Sequence, residues 1–198
     1  MVDDGDVLRR FREEHAGVFA TLWRRLGEYD LVDVALADAY LAAIAAWPDG
    51  IPQNPATWMA TVALSVNTGL VARKPEAEVV TPASDLRALL ASCAAPGLTA
   101  EQRLLLVARA ALGLMPAELA ALLGVPEAEI KKRLDGAKTG LRKLGGRAPA
   151  PPVVAPEVAA ALAEVAAAVR AAPGPDAAAL ADLLDDRIRR ALEPTPAS

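Results

Sequence analysis

MPAELAALLGVPEAEIKKRLDGAKTGLRKL, residues 115–144, is the stretch from which the fold is read. Leu119, Leu122 and Leu123 recur at helical spacing over residues 117–123. Gly124 follows where a helix stops and the backbone can turn through positive φ. Val125 closes the corner, and Pro126 stands where a first helical turn tolerates proline. The second helix runs over residues 126–144 with Ile130, Leu134, Ala137 and Leu141 as its buried stripe. Its remaining surface carries Lys131, Lys132, Arg133, Lys138, Arg142 and Lys143. A short helix, a glycine corner and a basic second helix make a helix-turn-helix, the arrangement that sets a recognition helix in a DNA major groove. Glycine-cornered hairpins also occur in proteins that bind no DNA, and a basic face also serves simply to meet water.

Outward from this stretch the periodicity stays helical. Residues 6–26 present Leu8, Phe11, His15, Val18, Phe19, Leu22 and Leu26 on one face. Residues 31–47, LVDVALADAYLAAIAAW, are apolar nearly all round, the signature of a helix at the centre of a bundle. Asn54 is placed to cap a third helix that opens at Pro55 and runs to residue 72. After a linker at 74–84, helices are expected over 85–95 and 99–112, the latter started by Thr99 with Glu101 and Gln102. An Ala/Pro/Gly segment over 145–156 then leads to two alanine-rich helices, 157–172 and 176–192, and a frayed end over 195–198. No stretch alternates with a two-residue period, so the fold class is all-α. The organisation is an N-terminal bundle (1–73), a helix-turn-helix domain (85–147) and a C-terminal helical hairpin (157–192).

The 198 residues carry a net charge of −4, which excludes a protein that coats nucleic acid generally and confines DNA contact to a local patch. Residues 127–147 supply one, with seven Lys/Arg against three Asp/Glu. The single cysteine, Cys93, excludes a disulfide framework and a cysteine-rich metal site, and reads as a small buried hydrophobe. His15 is the only histidine, so no histidine-rich metal site forms; it stays a weak candidate for a base beside Asp33 and Asp38. Neither a nucleotide loop nor a nucleophile elbow occurs, and no cofactor is expected. The acidic N-terminus has no signal-peptide core and residues 51–72 do not read as a membrane span, so the expected location is cytoplasmic, with no membrane partner.

The order of features resembles a known family. Arg24-Arg25-Leu26-Gly27, Asp30-Leu31, Trp47-Pro48, Asn54-Pro55-Ala56-Thr57-Trp58, Leu98-Thr99-Ala100-Glu101-Gln102-Arg103 and Gly124-Val125-Pro126-Glu127 together resemble the extracytoplasmic-function sigma factors of bacterial RNA polymerase, over residues 8–144. The resemblance implies a region 2-like N-terminal bundle, which in the family docks on core polymerase and melts the −10 element. It also implies a region 4-like C-terminal domain that reads the −35 element, and it places DNA contacts at Lys131, Lys132, Arg133, Lys138 and Arg142.

The N-terminal half departs from that pattern. Where the family has paired acids and a glutamine, this chain has Asp33-Val34-Ala35-Leu36-Ala37-Asp38, and residues 31–72 contain no Lys or Arg. Residues 1–80 hold seven Lys/Arg and twelve Asp/Glu, whereas a surface that captures single-stranded DNA needs cations and stacking aromatics. Two readings follow. One is a transcription regulator that binds duplex DNA, polymerase core or an anti-sigma-like protein and has lost promoter melting. The other is a sigma scaffold reused as a binding protein or enzyme for a small apolar ligand, with Tyr40, Trp47, Trp58 and Asn67 around a pocket near the bundle.

Overall fold

The computed structural model describes residues 3–67, 83–146 and 154–193. Among these residues the fold is all-α, nine helices and no strand. Two compact units divide the chain, Met1–Thr81 and Pro82–Ser198. The expected continuation of the third helix over 68–72, the linker as far as 82, Arg147 and the end at 195–198 lie outside the described residues.

In the first unit, α1 (Asp4–Leu26) starts at Asp3, whose carboxylate accepts from the Asp6 N–H at 2.7 Å. Acids in its first turn and Arg24 and Arg25 in its last suit the helix dipole. It stops at Gly27, which takes φ +78°. α2 (Tyr29–Ala46) begins at Tyr29, two residues before the start at Leu31 expected from sequence. A short 3-10 turn at Trp47–Asp49 leads to α3 (Pro55–Asn67), where Asn54 Oδ1 accepts from the Thr57 N–H at 3.0 Å. Phe11, Phe19, Leu22, Trp23, Leu36, Trp47 and Met59 fill the core.

The expectation that α2 lies wholly at the centre of a bundle needs correcting. Among the described residues α1 and α3 are the helices that flank it most extensively within its unit; Val32, Leu36, Ala39 and Ala43 are buried while Leu31, Val34 and Leu41 stand 41%, 55% and 62% exposed. A helix apolar on every side has no moment to say which face turns inward. By length and composition alone, Tyr29–Asp49 would also suffice to cross a membrane.

The second unit is built on α5 (Ala100–Leu112), whose residues from Leu105 to Leu112 are all buried. Thr99 and Gln102 cap it reciprocally, the side chain of each accepting the other's backbone N–H. α4 (Ala83–Cys93) and α7 (Glu127–Lys143) pack on it, and α6 (Pro116–Leu123) packs on α7. The buried Arg109 donates to the Leu114 carbonyl at 3.2 Å, fixing the α5–α6 connection.

The C-terminal hairpin, α8 (Pro156–Arg170) and α9 (Ala177–Leu192), belongs to this unit. It buries Val158, Leu162, Val165, Val169, Leu180, Leu184 and Ile188 against its own partner helix and against α4 and α5. Leu192, the last residue of α9, is 39% exposed. Arg87 of α4, itself buried, donates through Nε to the Ala191 carbonyl at 2.7 Å and through Nη2 to the Glu193 carbonyl, so a cation meets the negative end of α9. At the hairpin tip the Gly174 N–H donates to the Leu122 carbonyl of α6 at 2.9 Å.

Candidate nucleic-acid interface

α6 begins where Glu118 accepts from the Met115 N–H at 2.8 Å and ends at Gly124 with φ +65°. Pro126 stands at the N-cap of α7 rather than inside its first turn, and its carbonyl accepts from Glu129 and Ile130. Ile130, Leu134, Ala137 and Leu141 are buried, so local pattern and packing agree on the inward face.

A helix advances about 100° per residue. Lys132, Thr139 and Lys143 therefore stand opposite the buried stripe, and Lys131, Lys138 and Arg142 lie along one flank. Lys131, Lys132, Arg142 and Lys143 are exposed and Lys138 is half-buried. Asp135 and Gly136 interrupt the basic surface with an acid and a bare backbone. Lys131 meets Glu127 at 2.7 Å, one turn back and with both side chains in solvent, an ion pair that water already weakens and that a phosphate can replace.

Arg133 lies on the opposite flank, toward α5. Its guanidinium donates to Glu129 at 2.8 Å and to Glu101 at 2.5 Å. The hydrogen bond to Glu129, then that to Glu101, raises its pKa above the ordinary guanidinium value, and Arg133 in turn lowers that of Glu129. The six basic residues singled out from sequence thus separate into five on the outward and one lateral side and one held against α5. The Glu129–Arg133 spacing of four was legible in sequence. Glu101, 32 residues away, had no local signal.

Within the first unit the expected pocket residues are packed together. Trp47 and Trp58 meet edge to face with centroids 5.3 Å apart, and Phe11 lies 5.2 Å from Tyr40 and 6.2 Å from Trp47. Tyr40, Trp47 and Trp58 are thus held in one aromatic cluster with Phe11. The side chain of Asn67 lies outside the described residues. His15 is buried between Phe11 and Phe19, at 5.7 and 5.8 Å. Asp33 is buried on α2 and Asp38 half-buried five residues on, about 140° round the helix. Of the three candidate acid/base groups, His15 and Asp33 are both buried from solvent. Among the described residues no group of three His, Cys, Asp or Glu side chains is placed to hold a metal ion.

Comparisons with models of protein families, with curated proteins and with solved structures each find no match to this chain.

Proposed function

We propose that this chain is a sigma-factor-like regulator that binds duplex DNA through α7 and does not melt promoters. The observation that carries the reading is the outward and lateral basic surface of α7, Lys131, Lys132, Lys138, Arg142 and Lys143, behind a glycine corner at α6. Such a helix offers Lys131, Lys138 and Arg142 to phosphates along one side of a major groove, while Lys132 and Lys143 on its outward face, with Asp135 between the two sets, can approach base edges. The loss of melting is argued from the first unit, where α2 and α3 carry no cation and the aromatic rings pack on one another. Core polymerase and anti-sigma-like proteins are partners in keeping with the resemblance. We take the location as cytoplasmic, α2 serving as a bundle helix with the carboxylate of Asp33 on its buried side.

The test is fluorescence anisotropy of labelled duplex DNA with the full chain at several salt concentrations. Each phosphate contact contributes roughly −0.9 to the slope of log affinity against log salt, so up to five contacts give a slope no steeper than about −4.5. Replacing Lys131, Lys132 and Lys143 by alanine should flatten that slope, while Arg133→Ala should leave it nearly unchanged. No binding at low salt would end the DNA reading. A promoter opened in permanganate footprinting with core polymerase would end the claim about melting.

A further inference from the structure

We propose that the second unit holds a small-molecule site, formed by α5, the α6–α7 corner and α8, for an amphiphile with an apolar body and one cationic head. The space is a cavity of about 320 Å³. Leu104 of α5, Leu123 and Val125 at the corner and Val165 of α8 give it apolar walls. Ala161 and Ala168 of α8 also line it, and their small side chains leave that space open. A water's share of liquid volume is about 30 Å³, so the cavity takes on the order of ten heavy atoms. That is the lower end of the range of ligand pockets, and the mostly apolar lining with a few polar groups fits one.

The charges at its edge choose the head group. Arg133 is already matched by Glu101 and Glu129. Arg103 donates to the Ala95 and Pro96 carbonyls in the turn after α4 at 3.3 and 3.1 Å, so its Nε and Nη2 are already engaged. Glu164, exposed on α8 at the edge of the cavity, makes no hydrogen bond or ion pair among the described residues. An amine seated over the cavity would meet this carboxylate, whereas a carboxylate ligand would be repelled by it.

The cavity's walls include both residues that flank Gly124 and the one basic residue of α7 that points away from the outward face. A ligand there biases how α7 is held, and by linkage DNA biases the ligand equally. This coupling rests on the DNA reading above, whereas the site itself rests on the cavity and its edge.

The experiment is isothermal titration calorimetry of the full chain with phenylbutylamine, phenylbutanol and phenylbutyrate. The amine should bind about tenfold more tightly than the carboxylate, the range open to one exposed attraction exchanged for one repulsion. Glu164→Gln should bring the amine down to the alcohol. Ala168→Phe, a change on the exposed side of α8, should abolish binding of all three with the melting temperature kept. Absence of binding by any probe, equal affinity for amine and carboxylate, or an amine that still outbinds the alcohol in Glu164→Gln would overturn the site. If Ala168→Phe unfolds the chain, the Glu164→Gln result decides alone. Saturating amine should then shift duplex affinity at least about fivefold. Amine binding without any DNA binding leaves the site standing and removes the DNA reading; binding of both with no mutual effect removes the coupling.

Discussion

Cys93 is fully buried in α4, and burial alone pushes its thiol well above the ordinary value, because a thiolate there would have no solvent. In the unfolded chain the same thiol titrates near about 8.5. Below that pH both states keep the proton and Cys93 adds no pH dependence. Above it the unfolded chain releases a proton that the folded chain retains, so stability falls as pH rises, by up to about 1.4 kcal/mol per pH unit. Urea unfolding of the natural chain and of Cys93→Ala should therefore run parallel from pH 6 to 8 and converge towards pH 10. Equal slopes throughout would show that the thiol is not shielded. Arg133 is the converse case at this scale. It is a cation in solvent, yet two carboxylates occupy its hydrogen-bond donors, so its charge and its sequence position mislead about its reach.

At the scale of the element, two glycines of the second unit separate backbone constraint from mere helix weakness. Gly174 at the hairpin tip lies against α6 so closely that an added Cβ would sit 2.3 Å from Leu122 Cα and 2.4 Å from the Ala121 carbonyl oxygen. These are backbone atoms with nowhere to go, so Gly174→Ala should lift the tip and cost about 1–3 kcal/mol. Gly136, inside α7 with nothing within 4 Å, has no such reason to be glycine. Gly136→Ala should stabilise by about 0.5–1 kcal/mol, since alanine loses less freedom in a helix. Thermal unfolding of both variants checks the opposite signs, and two shifts in the same direction would refute the assignment of the tip contact. Most of what was legible in sequence belongs to this scale. Asn54, Thr99 with Gln102, and Gly124 act on backbone groups within a few residues, and each stands at the helix boundary its chemistry indicated. Legibility ended where an element had no moment, as on α2, or where a partner came from far along the chain, as Glu101 does for Arg133.

Across the whole molecule, the alanine-rich hairpin takes on the work of a core. Its two helices were visible in sequence, but small uniform side chains fit many surfaces, and nothing local named α4 and α5 as the ones they cover. Burying a Val, Leu or Ile side chain contributes about 1.5–3 kcal/mol, and α8 and α9 bury seven such residues, which together rival the whole stability of a typical domain, about 5–15 kcal/mol. Removing residues 154–198 should therefore abolish cooperative unfolding of the second unit, or leave it aggregated; an unchanged melting curve would make the hairpin a passenger. The bond from Gly174 to the Leu122 carbonyl carries this further. That amide belongs to no helix ladder, so its hydrogen exchange is governed by how often the tip lifts from α6. A protection factor measured at this one position becomes a clock for hairpin release, readable while every helix of the unit is still intact.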